Sequence, residues 1–466
     1  MQLEKTTAVI LAAGEGKRMQ SALPKVLHPI CGYPMISYVI SAVKGICSDI
    51  VVVVGHQGEK IRQLVGNRVR YVEQKEQLGT AHAVLQAVPL LPAEGNVLVL
   101  CGDTPLLTAE AIGNMADRHS QAGAAATVLT AHVPDPYGYG RIVRDEKGGV
   151  AGIVEEKDAT AGERKITEIN TGTYVFDIRS LKEVIDEVGC SNVQGEYYLT
   201  DCIAILQQKG LPVAAEVLED YTLALGVNDR MQLARVQSLM QQRINNSLME
   251  AGVTLVDPQT SYIDAGVRIG RDTVVMPNTI IRGRTVVGEN CIIGPNSELV
   301  DCRVGSNSVF RHSVANSSEI GDGVAVGPFA HLRSGTVLEK DVKVGGFVEI
   351  KKTRVGSKTK IAHLSYIGDA QLGSGINMGG GTIVVNYDGK RKNLTTIHDN
   401  AFIGCNCNLV APVTVGKGAY VAAGSTVTED VPAGSLTIAR ARQVNKEGRA
   451  ARYLENNNSK NMNRKE

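Results

Sequence analysis

From Ile263 to Val431 an aliphatic residue returns at every sixth position through most of the stretch, a spacing that neither a strand nor a helix produces alone. One register runs Ile263, Ile269, Val275, Ile281, Val287, Ile293 and Leu299, then after single-residue slips Val304, Ile320, Val326, Leu332, Leu338, Val344 and Ile350. It continues through Val355, Ile361, Ile367, Leu372 and Met378, breaks, and returns as Ile397, Ile403, Leu409, Val415, Val421 and Val427. Glycine often follows the aliphatic position, as at Gly270, Gly345 and Gly404, and small or branched residues such as Thr273, Thr279 and Ser297 sit two places before the next one. This describes a chain that runs a short strand, turns a corner where glycine relieves steric conflict, and closes a triangular coil after three hexads. About nine coils at ~4.8 Å each stack into a prism of roughly 40 Å with parallel ladders between coils. A single coil cannot bury its own interior, so the array folds as a unit.

Outside this array the pattern changes. Thr7 to Leu11, Ile50 to Gly55 and Val97 to Cys101 are short apolar runs separated by helix-length segments, which reads as an open α/β sheet. The first run opens into Ala12-Ala13-Gly14-Glu15-Gly16-Lys17-Arg18-Met19, with Pro24-Lys25 beyond, a glycine-rich loop whose amides and cations suit a polyphosphate. It is neither a Walker A loop nor a full dinucleotide fingerprint. Asp103 follows the third run directly, at the carboxyl end of a strand, where such sheets bind ligands. Its carboxylate fits Mg²⁺ shared with substrate phosphates, or equally an Asp that starts the turn before Pro105. From Asn228 to Ala251 there is no Pro or Gly, and Leu233, Val236, Met240, Ile244 and Leu248 share a face, so a linking helix ending at Gly252 is expected.

Within the hexads, Asn386-Tyr387-Asp388-Gly389-Lys390-Arg391-Lys392 cannot continue a coil and reads as an excursion. Arg333, Glu349, Lys351, Lys352, His363 and Tyr366 fall off the interior register and point outward. An outward His363 is either simply solvated or, among these polar and cationic groups, functional.

Charge narrows the partners. Lys and Arg number 49 against 48 Asp and Glu, for a net charge of +1, so no electrostatic footprint for nucleic acid or an anionic membrane exists and small molecules are the expected partners. The nine cysteines carry no CxxC pair or zinc spacing, which suits a reducing compartment, and a cytoplasmic location is expected. The apolar run from Ala8 to Ala13 is too short for a signal-peptide core or a membrane span, so no membrane insertion is expected.

Taken together, LAAGxGxRM with PKVL, the GD-x-PL turn, EINTG, VNDR, and hexads containing KK, AHLSYIGD, NMGGGT and NYDGK closely resemble the bacterial bifunctional N-acetylglucosamine-1-phosphate uridyltransferase/glucosamine-1-phosphate acetyltransferase family, from Thr7 to Arg442. The resemblance implies a Rossmann-like α/β nucleotidyltransferase domain over 1–229, a helical arm over 230–251, a left-handed parallel β-helix over 252–452 and a disordered tail over 453–466. It implies that Leu11, Ala12, Ala13, Gly14, Gln74, Gly79 and Thr80 hold the uracil nucleotide, with Arg18 and Lys25 on its phosphates. Asp103 and Asn228 are implied as ligands of Mg²⁺, for which Mn²⁺ or Co²⁺ can substitute, and Gly140, Glu155, Asn170 and Asn228 as contacts of the amino-sugar phosphate. In the β-helix His363 matches the family's general base. Arg333, Lys351, Tyr366, Asn377 and Lys392 match its sugar-phosphate site, and Gly380, Asn386, Tyr387, Cys405, Ala423 and Arg440 its acetyl-CoA site. A homotrimer through the β-helix is likewise implied. Cys405 stands where serine is familiar and Gly380 where alanine is familiar, two departures beside the acyl donor.

Two rival readings remain. A single-activity sugar nucleotidyltransferase with a β-helix serving only assembly is opposed by His363, Tyr366 and NYDGK. A non-catalytic regulatory subunit built from the same folds is opposed by intact Lys25, Asp103 and Asn228.

Overall fold

The computed structural model describes residues 6–454; beyond Leu454 the expected tail lies outside them. The chain divides into two compact units, one reaching Ser247 and including Tyr262–Gly266, the other formed by Leu248–Ser261 and the chain from Val267 onward.

The first unit is built on a 9-stranded sheet. Its main path runs Val213–Leu218, Ala126–His132, Glu168–Asp177, Asn96–Cys101, Thr6–Ala12, Asp49–Val54 and Arg70–Glu73, while Arg141–Arg144 and Val150–Val154 branch from Glu168–Asp177. Thr6–Ala12 lies parallel to both Asn96–Cys101 and Asp49–Val54, so the chain leaves all three at the same edge. Glu168–Asp177 is antiparallel to its neighbours on either side. The runs are continuously apolar because both faces are covered: Val9, Val51, Val53, Val97 and Val99 belong to one core, and Ala8, Ile10, Val52, Leu98 and Leu100 to the other. Each of these Val, Leu and Ile side chains contributes about 1.5–3 kcal/mol of burial. Helix Ala109–Ala122 shows how local chemistry sets the flanks. The Thr108 hydroxyl accepts from Ala111 N at 3.2 Å at its start, and Gly123, with φ 54°, ends it.

The helix expected as an arm spans Arg230–Glu250. Val236 and Met240 are buried with Met19, Ile30, Cys31, Met35, Leu106 and Val227, so its apolar face closes a third core of the first unit. Gln237 Oε1 accepts from Cys31 N at 3.0 Å, and Arg243 donates to the Leu106 carbonyl at 3.0 Å.

The second unit is a left-handed parallel β-helix whose three walls are sheets of 11, 10 and 9 strands. The hexad aliphatics are its interior: Val275, Ile281, Ile293, Leu299, Ile350, Ile361, Ile403 and Leu409 are all buried. The small hydroxyl residues lie between coils. Thr273 donates to the Gly288 carbonyl at 2.8 Å and accepts from Cys291 N at 3.1 Å, joining its own coil to the next. The glycines need a different explanation from the corner role read in the sequence. The tight corners with positive φ fall to Asn and Asp, among them Asp272, Asn278, Asn290, Asn296, Asp341 and Asn406, and to a different set of glycines, among them Gly283, Gly323, Gly375 and Gly424, all of which tolerate the left-handed region. The glycine after the aliphatic is required by stacking: a Cβ on Gly356 would lie 2.5 Å from the carbonyl carbon of Gly373 in the next coil. The break in the hexads is also visible. The strand at Asn377–Met378 pairs with Phe402–Ile403, and the residues between them include Tyr387 bridged to Lys392 at the base of the excursion.

Candidate functional sites

In the first unit the glycine-rich loop, Asp103 and Gln74 all emerge from carboxyl ends of parallel strands, which is why the sheet gathers them. They line a cleft of about 560 Å³ together with Leu11, Ala12, Ala13, Gly14, Lys25, Gly79 and Thr80. A Cβ at Gly14 would project into open space, so the loop presents bare backbone. Gly79 has φ +118°, and a Cβ there would come within 2.6 Å of Tyr197 N. The turn is pinned by the Tyr197–Leu199 segment: Ala81 N donates to the Tyr197 carbonyl at 2.9 Å and Leu199 N to the Thr80 hydroxyl at 2.9 Å. Arg18 is exposed and stands outside the cleft lining; its neighbour Lys17, paired with Glu15 at 2.6 Å, lines the cleft instead.

At the floor of the cleft Lys25 forms an ion pair with Asp103 and donates to Asn228 Oδ1 at 3.0 Å. Val227 N donates to the Asp103 carbonyl at 3.0 Å, which brings the two oxygen-bearing side chains together from distant parts of the chain. Two hard oxygens converging on one cation fit a divalent metal whose remaining ligands are phosphate oxygens. Among the described residues no cluster of three or more His, Cys, Asp or Glu could hold a metal ion. Cys101 beside them is held as a thiol, burial pushing its pKa up to about 12.

A second pocket of about 200 Å³ shares Leu11, Thr80 and Cys101 with the cleft and is lined by Gly140, Glu155, Asn170 and Thr200. Gly140 is needed for close approach, since a Cβ there would lie 3.2 Å from Ile153 and 3.4 Å from Glu155. Asn170 Nδ2 donates to the Tyr174 hydroxyl at 2.6 Å while its Oδ1 accepts from Gly172 N at 3.0 Å, leaving the side chain no rotational choice. Arg141, fully buried, donates to Glu156 Oε2 at 2.7 Å and to the Tyr139 carbonyl, and Gly138 N donates to the same Glu156 oxygen at 3.1 Å, which ties the glycine-rich turn to the strand before Glu155.

Burial raises the Glu155 carboxyl above the ordinary range, and Asp158, Asp201 and Glu196 push the same way. An acid raised by folding carries a cost that is present above its folded pKa and disappears as pH falls below its unfolded value, about 4.3. Glu155→Gln is therefore expected to raise the Tm of this unit near pH ~8, with the gain vanishing near pH ~4, as thermal unfolding at the two pH values would show.

In the second unit the expected residues form two groups. Arg333, Lys351, Tyr366, Asn386 and Lys392 gather along one wall and the root of the excursion. Arg333 pairs with Glu349 at 2.8 Å, Asn386 Nδ2 donates to Asp369 Oδ2 at 2.5 Å, and the Tyr366 hydroxyl and Asn386 amide both crowd Gly368. Lys392 beside it holds the Lys351 ammonium below the ordinary lysine range, the mark of a cation cluster suited to an anion. The second group is a corner column. Gly381 N donates to the His363 carbonyl at 3.2 Å, Asn406 N to the Gly380 carbonyl at 2.8 Å, Gly424 N to the Cys405 carbonyl at 2.8 Å, and Arg440 to the Ala423 carbonyl at 3.0 Å. A Cβ on Gly380 would lie 3.3 Å from His363 Cβ, so the glycine opens space directly over the histidine, and Cys405 is exposed two coils from it. Among the described residues no hydrogen bond joins the two groups. Asn377 lies at the start of a strand, in the coil position after Lys360, apart from the cation cluster, and Tyr387 is exposed on the excursion, its hydroxyl donating to Gly389 O at 2.8 Å.

The folds and sites define a two-part transferase, a nucleotidyltransferase sheet followed by a hexapeptide-repeat acyltransferase. Residues 8–166 match the MobA-like NTP transferase domain, 257–384 the GMPPB C-terminal domain, and 394–429 the bacterial transferase hexapeptide of six repeats. The chain is 54% identical over 457 residues to a bifunctional protein GlmU of Geobacillus sp. strain WCH70, covering 98% of this chain and 100% of the relative. It is 53% identical over 447 residues to that of Bacillus subtilis strain 168, covering 96% of this chain and 98% of the relative. The chain belongs to the bifunctional GlmU family, and it is a sugar-1-phosphate uridylyltransferase and CoA-dependent N-acetyltransferase.

Proposed function

We propose that the two reactions of this chain divide between its units as follows. The β-helix acetylates glucosamine-1-phosphate with acetyl-CoA, and the α/β unit transfers UMP from UTP to the resulting N-acetylglucosamine-1-phosphate, releasing pyrophosphate and UDP-N-acetylglucosamine. The observation that carries this reading is the pairing of Asp103 and Asn228 around the Lys25 ammonium at the floor of a cleft that shares Leu11, Thr80 and Cys101 with the Glu155 and Asn170 pocket.

UTP lies along the glycine-rich loop with its base at Gln74 and Gly79 and its phosphates toward Lys25. The sugar lies against Gly140, Glu155 and Asn170, with its phosphate toward Leu11 and Thr80, which both pockets share. The sugar phosphate oxygen attacks the α-phosphorus in line as the bond to pyrophosphate breaks, and Lys25 offsets the charge that develops. Asp103 and Asn228 would hold a divalent ion, for which Mg²⁺ is the natural choice, supplying charge neutralisation on the phosphates. In the β-helix, Arg333, Lys351 and Lys392 receive the sugar phosphate. His363 takes the proton of the sugar amine as its nitrogen attacks the thioester carbonyl, and coenzyme A leaves as the thiol. Gly380, Cys405, Ala423 and Arg440 line the donor's path, with Asn386 and Tyr387 bordering it. The cytosol, where these substrates are made, is the proposed location.

A homotrimer through the β-helix is proposed, with the acetyl-transfer site completed by a second copy. Phe329 and Phe347 support the same face: their rings stack at 5.2 Å, they are 55% and 63% exposed, and both have positive φ, uncommon for bulky residues. Phe347→Lys is expected to dissociate the assembly in sedimentation and to lower acetylation while uridylyl transfer persists. The overall reading is tested by supplying purified protein with glucosamine-1-phosphate, acetyl-CoA, UTP and Mg²⁺ and following free thiol and pyrophosphate separately. Both are expected to appear, thiol first. Pyrophosphate without thiol would remove the acetyltransferase assignment.

A further inference from the structure

We infer that His82 is a positioning residue that fixes which end of the Gln74 amide faces the nucleotide cleft, and thereby selects a base whose ring N3 carries a hydrogen, as uracil's does and cytosine's does not. The inference rests on the reading of the cleft as the UTP site.

Gln74 lines the cleft and is only 3% exposed, so its amide has no water to compensate a wrong orientation. Its Nε2 donates to the Gly79 carbonyl at 3.1 Å and lies 3.1 Å from His82 Nδ1. A carbonyl oxygen can only accept, so the end of the amide beside Gly79 is the NH₂. The His82 nitrogen facing that same NH₂ must therefore accept, which leaves Nδ1 bare and places the ring proton on Nε2. Both amide hydrogens of Gln74 are then committed within the protein. Only Oε1 remains, and an amide oxygen can offer nothing but acceptance. On the other side of the ring, Gln86 lies one helical turn along, its Nε2 3.2 Å from His82 Nε2 and 3.2 Å from the His82 carbonyl. One ring nitrogen must carry the proton, so one of the two amides turns its oxygen to the ring; half-buried Gln86, which gives up only that one bond to water, turns more cheaply than Gln74, which is 3% exposed.

Uracil carries N3–H between its two carbonyls, which an accepting Oε1 satisfies. Cytosine has a bare N3, and two lone pairs would face each other. Gly79 alone can hold one Gln74 hydrogen but not the second. Removing the His82 acceptor leaves a buried N–H unpartnered, which favours a swing or reversal of the amide and lets it donate to the base. Selectivity built on such a hydrogen bond is lost when its support goes, whereas packing contributes little to telling these bases apart.

The test is made on the full chain by measuring kcat/KM for UTP and for CTP from pyrophosphate release, with N-acetylglucosamine-1-phosphate as acceptor. His82→Leu and His82→Phe, two deletions of the acceptor with different shapes, are expected to lower the UTP-to-CTP ratio by about tenfold, leaving the KM for the sugar phosphate near the parent value. His82→Asn, whose Oδ1 can stand where Nδ1 stood and accept, is expected to keep the parent ratio. A parent-like ratio in a folded Leu or Phe variant, or an equal loss in the Asn variant, overturns the inference. Gln74→Ala separates the two levels: if it too leaves the ratio unchanged while the parent turns over UTP, the base does not meet Gln74 and the placement of the nucleotide is what fails.

Discussion

Asp103→Ala is expected to lower uridylyl transfer by about 10³-fold or more while acetylation proceeds at the parent rate. The carboxylate is one of two protein oxygens that converge at the cleft floor, and Asn228 alone carries no charge to hold a divalent ion against water. Charge neutralisation on a transferring phosphoryl group contributes several kcal/mol, and each ~1.4 kcal/mol is tenfold in rate. The variant also frees Lys25 from its ion pair, but a more available lysine does not replace the oxygen proposed to hold the metal. The residues proposed for acetylation belong to the other unit, so acetylation has no reason to change. Measuring pyrophosphate and thiol release on the same preparation checks both halves. Equal loss of both activities in a folded variant would contradict separate sites.

His363→Ala should give the mirror image, a fall of about 10² to 10⁴ in acetyl transfer, the range for losing a general base, with uridylyl transfer intact. His363 ends a strand at a corner where its side chain is exposed, and the missing Cβ of Gly380 leaves room directly beside it. Its carbonyl is tied to the next coil through Gly381 N, so the backbone that aims the ring is fixed while the ring itself is available to substrate. Trimming the ring to a methyl group removes no interior packing, and the expected Tm change is small. Acetylation that survives near the parent rate would mean that another group takes the amine proton.

The β-helix was legible because a six-residue period exposes its interior directly: the residues picked as inward are those the structure buries, except Ile269, which is only half-buried. What the period could not show was why glycine recurs. Gly356 is dictated by the backbone of the next coil, a contact between residues far apart in sequence, while the left-handed corners fall to Asn, Asp and other glycines such as Gly323 and Gly424. In the α/β unit, Lys25, Asp103 and Gln74 were legible because strand ends and a glycine-rich loop have local signatures. The Lys17 and Arg18 pair was not, because a short 3-10 turn decides which of two neighbouring cations faces the cleft. The segment Glu196–Thr200 was missed altogether. Its main contribution is backbone hydrogen bonding to the Gly79–Thr80 turn, which leaves no pattern of side chains to read, although Glu196 and Thr200 complete the walls of the two pockets. His82 was passed over for a similar reason, since one half-buried histidine on a short helix carries no spacing signal until Gln74 is placed beside it.

The account's central claim is two independent catalytic sites joined by a free intermediate, and the most direct measurement mixes the two inactive variants. Asp103→Ala supplied with glucosamine-1-phosphate and acetyl-CoA should make N-acetylglucosamine-1-phosphate, and His363→Ala should carry that product on with UTP and Mg²⁺. Neither variant alone is expected to form UDP-N-acetylglucosamine from glucosamine-1-phosphate at more than a small fraction of the parent rate, while their mixture forms it after a lag. A mixture as inactive as its parts, with both variants folded, would contradict the account.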